Sequence, residues 1–164
     1  MLINLDEIQP HKPLHREFDL DRDELTTLGG KVVMEGIRAS FQFRIDPLGY
    51  LVHYKVRASA HAPCVRCSQS LACPVDVADW VSLRTVHPEQ SHVVLDDSEM
   101  NVRFIQGPKF DMRSFVKEII ELELPVYPRH DDNEPECQKL FAQEKGLSQQ
   151  DGSPFNALSK YLEK

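Results

Sequence analysis

No stretch of the 164-residue chain approaches the ~20 consecutive apolar residues that a membrane-spanning helix needs. Cysteine is scarce: four in the whole chain, too few for a disulfide scaffold of this length. Positive charge is not in excess. Nineteen Lys and Arg face 26 Asp and Glu, a formal net charge of −7, which excludes a protein coated with basic surface for nucleic acid. A local basic patch stays compatible with that total. Residues 1–16 (MLINLDEIQPHKPLHR) lack the basic stretch and apolar core of a secretory signal. Nor are they Arg- and Ser-rich in the manner of a transit peptide. The expected compartment is therefore the cytoplasm, where thiols stay reduced. The glycine-rich phosphate loops, HExxH and GxSxG are all missing, so no enzyme signature is present.

The chain does hold an ordinary globular balance, with 41% apolar and 27% charged residues, which excludes a wholly disordered chain. Its charge is segmental. Residues 1–30 carry three basic and seven acidic groups (net −4), residues 31–90 seven and five (net +2), and residues 91–164 nine and fourteen (net −5). A mildly basic middle thus lies between acidic ends.

Residues 31–45 and 50–61 alternate in period two around the turn signal Asp46-Pro47-Leu48-Gly49. Pairing Ile45 with Tyr50 puts Phe43 opposite Val52, Phe41 opposite Tyr54, Ala39 opposite Val56 and Ile37 opposite Ala58. Every pair on that face is apolar. The other face pairs Arg44 with Leu51, Gln42 with His53, Ser40 with Lys55 and Arg38 with Arg57. A one-residue slip would exchange the faces of one strand, so the agreement supports the register. Residues 74–86 predict a third strand, with Val75, Val77, Val81 and Leu83 on one side and Asp76, Trp80 and Arg84 on the other. Val102–Ile105 predicts a short further strand, and His92–Leu95 is a candidate for another. Leu14–Leu20 reads as a strand and Asp21–Leu28 as a short helical turn. Residues 112–124 change period: Met112, Phe115, Val116, Ile119, Ile120 and Leu124 form a helical stripe, with Asp111 as N-cap and Pro125 as the stop. Beyond it, residues 127–154 offer few apolar groups to offset ordering entropy and read as mobile. Phe155–Leu162 has the spacing of a short terminal helix.

Cys64-Val65-Arg66-Cys67 is the sharpest local motif. Two thiolates in a tight turn can grip one tetrahedral metal, but a structural zinc site needs four ligands and no second CxxC follows. Cys73 and Cys137 complete the candidate metal set, with His130 a more distant candidate. Two other readings stand beside zinc: a thiol oxidoreductase, which would need the motif at a helix N-terminus, and a plain turn with small buried thiols. On this incomplete set no cofactor is expected, and zinc is the candidate if the cysteines bind one. The basic hairpin face (Arg38, Arg44, His53, Lys55, Arg57, with Arg66 beyond) is a candidate for RNA phosphates or an acidic protein surface. No aromatic is interleaved for base stacking, because Phe41, Phe43, Tyr50 and Tyr54 all point to the other side. The competing reading is a solvated face that keeps the sheet soluble.

The order of features resembles one family. CVRC in a strand-to-strand turn precedes an alternating strand, then a helix with Asp111, Glu118, Leu122, Leu124 and Pro125, then Pro128 and Cys137. The segment Pro125–Asp131 with Cys137, and the ending Pro154-Phe155-Asn156-Ala157-Leu158, look like the proteobacterial version. The chain resembles the YceD family, the large ribosomal RNA subunit accumulation proteins. That resemblance implies a bacterial, cytoplasmic, non-enzymatic factor linked to synthesis, processing or stability of 23S rRNA. Many members carry a second cysteine cluster after the helix, which implies zinc for them; here Cys137 stands alone in that region and Cys73 is additional.

The expected fold is α+β: an antiparallel sheet of four or more strands with one main helix on its apolar face. Residues 1–126 would form one domain and 127–164 a mostly flexible acidic tail with a short terminal helix. The expected role is a ribosome-biogenesis factor. Its partner would be precursor 23S rRNA, bound through the basic face, or a basic ribosomal or assembly protein, bound through the acidic ends. Membranes and small-molecule substrates are not expected partners. A zinc-stabilised interaction module unrelated to rRNA is the alternative.

Overall fold

The structure, a computed structural model, describes residues 1–27, 30–85 and 100–148. In chain order these form β1 (Leu2–Asn4), a single 3-10 turn (Leu5–Glu7), β2 (Leu14–Thr27), β3 (Gly30–Asp46), β4 (Gly49–Pro63), β5 (Ser70–Arg84), β6 (Val102–Phe104), β7 (Lys109–Asp111), α1 (Met112–Glu123) and α2 (Pro135–Ser148). Five strands make one sheet in the order β2-β3-β4-β5-β6, and β1 pairs with β7 in a second, two-stranded sheet. The fold is α+β. Strands β2 to β5 are antiparallel, as expected, but β6 lies parallel to β5, so the sheet is mixed.

The β3–β4 hairpin has the register that alternation predicts from Ile45↔Tyr50 through Arg38↔Arg57. Beyond Arg38 the register shifts, so Ile37 does not pair with Ala58. Gly36 sits at the irregularity with φ +59°, a left-handed conformation that favours glycine. At the turn, a Cβ on Gly49 would lie 2.0 Å from the Leu83 carbonyl oxygen of β5, so only glycine fits there.

One face of the sheet is apolar and α1 covers it. Met112, Phe115, Val116, Ile119 and Ile120 are buried along the helix. The Asp111 carboxylate accepts from the Arg113 N–H at the N-cap, and the helix stops at Leu124, before Pro125. Phe115 meets Tyr54 edge-on, with ring centroids 5.1 Å apart, and Phe110 meets Phe43 at 5.9 Å. At the rim, Asp23 of β2 takes Arg113 Nε at 2.8 Å and Lys117 Nζ at 2.9 Å, tying α1 to the edge strand.

Three further features differ from expectation. Asp21–Thr27 is no helical turn but a continuation of β2 along β3. The third strand begins at Ser70 rather than Pro74. Residues 135–148, read as part of a mobile stretch, form α2. The expected elements at His92–Leu95 and Phe155–Leu162 lie outside the described residues. No helix among the described residues is long and apolar enough to cross a membrane.

Candidate functional site

Cys64 to Ser68 form the turn between β4 and β5. The Cys64 N–H donates to the Gln69 carbonyl (2.8 Å), and the Ser68 N–H donates to the Cys64 carbonyl (2.9 Å). Ser68 takes φ 60°, the left-handed conformation that lets so tight a turn close. A second hydrogen bond brings a distant segment in: the Val65 N–H donates to the Pro128 carbonyl at 2.8 Å. Arg66 also pairs with Asp132. Together these hold residues 128–132 over the knuckle. Helix α2 follows, with Pro135 in its first position, where a missing N–H costs nothing, and Cys137 in its first turn.

The result is a cluster that sequence spacing only partly announced. The Sγ atoms of Cys64, Cys67 and Cys137 and a ring nitrogen of His130 all lie within 4.8 Å of one another. Cys64 Sγ is 3.9 Å from Cys137 Sγ, and Cys67 Sγ is 3.6 Å from His130 Nδ1. Zinc–sulfur bonds of about 2.3 Å and zinc–nitrogen bonds of about 2.0–2.1 Å at tetrahedral angles require edges of roughly 3.5–3.8 Å. The four donors fit a tetrahedral Cys3His site. Cys73 does not belong to it: it lies on the core face of β5, within the main apolar core. His130, half-buried, takes the fourth corner.

The electrostatics suit deprotonated sulfur. Burial alone would raise the Cys64 thiol, but the N–H groups of Arg66, His130 and Cys67 and the His130 side chain pull it down, to about 6. Cys137 moves the other way, raised by burial and by the neighbouring thiols of Cys67 and Cys64. The Cys64 thiolate is thus favoured and that of Cys137 disfavoured, and a bound cation is what would let both ionise.

The second candidate is the open face of the sheet. Arg38, Arg44, His53, Lys55 and Arg57 are all exposed there, as the hairpin register requires. The neighbouring strands change its character. Asp19 of β2 stands opposite Arg38, and Glu17 stands opposite Ser40. Asp76 of β5 binds Arg57 Nε at 3.1 Å. Carboxylates therefore flank the basic stripe on both sides. Trp80 stands opposite His53, so the assembled face does carry aromatic surface that the hairpin alone lacks. Arg66 is not on this face; it is engaged by Asp132 beside the cysteine turn.

Fold and cluster together define a class: an α+β domain with an apolar-faced sheet, one covering helix, and a cluster of four possible donors where the β4–β5 turn meets a second helix. The model of one family, YceD, described as large ribosomal RNA subunit accumulation protein, matches residues 52–161. The chain belongs to the YceD family. Searches of curated proteins and of solved structures found no match.

Proposed function

We propose that the chain is a non-enzymatic factor supporting the accumulation of 23S rRNA, and that a zinc ion held by Cys64, Cys67, His130 and Cys137 fixes its C-terminal part. The family match supports the first half: it covers residues 52–161 with the description large ribosomal RNA subunit accumulation protein. The ligand count supports the second: four protein donors close the tetrahedron and leave no position for water or substrate, which is the pattern of a structural rather than a catalytic zinc. When bound, the metal would supply a cross-link between the β4–β5 turn and α2. The chain's own residues place the donors: Val65 draws in Pro128, and Arg66 draws in Asp132.

The balance of charge on the open face supports a basic protein as the direct partner more than RNA. The carboxylates of Glu17, Asp19 and Asp76 offset three of the four cations Arg38, Arg44, Lys55 and Arg57, and the whole chain carries −7. Depleting the protein from cells should lower mature 23S rRNA relative to 16S rRNA; an unchanged ratio refutes the role. Metal analysis of the purified protein should return about one equivalent of zinc. Less than about a tenth of an equivalent, with no loss of stability in chelator, refutes the centre.

A further inference from the structure

Strand β2 ends the five-stranded sheet: β3 pairs with one side of it, and no strand among those described pairs with the other. It is long, running from Leu14 to Thr27, and rich in acid: Glu17, Asp19, Asp21, Asp23 and Glu24, against Arg16 and Arg22. The part nearest α1 is already closed. The Glu24 N–H donates to Asp23 Oδ1 (2.8 Å), and the Glu24 carbonyl accepts from Lys117 Nζ (2.8 Å). Upstream, the His15 carbonyl accepts from the exposed Arg16 guanidinium at 3.1 Å. On an edge strand, alternate residues turn both backbone groups away from the one partner strand, so the outer side of β2 upstream of Asp23 presents donors and acceptors that no described strand pairs with. Among the described residues, Glu17, Asp19 and Asp21 have no ion-pair partner.

We propose that the outer edge of β2, from Leu14 to Arg22, takes up an extended Lys- and Arg-rich segment of a partner protein by strand addition. This rests on the reading that the direct partner is a basic protein. Main-chain hydrogen bonds would supply the pairing and alternate side chains the selectivity. On the open face, lysines or arginines of the added strand would meet Glu17 and Asp19. On the other face, its apolar residues would extend the row of Leu14, Phe18 and Leu20. Charged edges commonly serve to prevent pairing, and here that protection is selective. A second copy laid along β2 would set carboxylate against carboxylate, which is unfavourable. A basic strand meets the opposite sign.

The test uses the full-length protein and a labelled short peptide alternating lysine and valine. Binding is followed by fluorescence polarisation. The peptide should bind, and binding should weaken with added salt. N-methylation of the peptide at alternate residues removes backbone donors but keeps every charge, and should weaken binding at least about tenfold. The double variant Glu17→Lys/Asp19→Lys should weaken it by a similar factor. Equal binding of the N-methylated peptide overturns strand addition without depending on how any variant folds. Failure of the peptide to bind, or its displacement by single-stranded oligouridine with unchanged affinity in the double variant, overturns the basic-peptide edge. In either case the effect of depletion on 23S rRNA stands as a separate result.

Discussion

Cys73 and His130 owe their different roles to the elements that hold them. Cys73 faces inward from a paired strand and cannot leave the core; His130 rides on a segment hung from Val65 by one backbone hydrogen bond. Cys137→Ala or His130→Ala should therefore weaken zinc affinity at least about tenfold in chelator competition, while Cys73→Ala leaves it unchanged. Asp23 makes a second prediction at this scale. The Arg113 hydrogen bond, with help from Lys117 and against partial burial, holds its carboxyl well below the usual carboxylate range. A depressed folded pKa adds stability above the ordinary value near 4, and that stability is lost as pH falls through the folded value. Denaturant midpoints should decline below about pH 4, and Asp23→Asn should flatten that decline while costing about 1–3 kcal/mol at neutral pH. Gly49→Ala drives a methyl into the Leu83 carbonyl and should cost at least about 2 kcal/mol in chemical denaturation.

Among the elements, those with a strong period were legible from sequence. The β3–β4 hairpin declared its register because a defined turn fixed one pair and alternation fixed the rest. Helix α1 declared itself through its stripe, its Asp111 cap and Pro125. What failed to show had little local signal. The irregularity at Gly36 moves burial from even positions (Val32, Met34) to odd ones (Ile37, Ala39, Phe41), and the unbroken run Val32-Val33-Met34 blurs that change of phase in the sequence. The second half of β2 is a strand because β3 offers a template, an effect of tertiary pairing over local preference. Helix α2 lacks an apolar stripe. Of its described side chains, Cys137 and Leu140 turn inward, toward Cys64 and Cys67, in a small cluster that shares no residue with the main core. Under the proposed coordination, its place depends on the donors more than on hydrophobic area. Chelation should raise hydrogen exchange and proteolysis across residues 128–142, while amides of β3 and β4 keep their protection. Equal loosening of the sheet would contradict this division.

Taken whole, the molecule sorts its charge by element. The net +2 segment holds the sheet's centre, the net −4 segment supplies its outer edge strand, and the acidic C-terminal part packs α1 and carries two of the four donors. The family match starts at Val52, inside β4, so the acidic edge lies outside it while the donor cluster lies inside. Residues 1–126 alone should fold with a cooperative thermal transition and hold no zinc, since they retain the main core and lack His130 and Cys137. The Cys64–Cys137 contact spans 73 positions of sequence. A cross-link over that distance removes loop-closure entropy from the unfolded chain worth about 4 kcal/mol on a chain-entropy account. The chain is also made in one direction. Cys64 and Cys67 emerge as a two-thiol site and stay incomplete until β5, α1 and the first turn of α2 have followed. Under the proposed coordination, metal capture marks the end of synthesis: only a chain finished past Cys137 can lock.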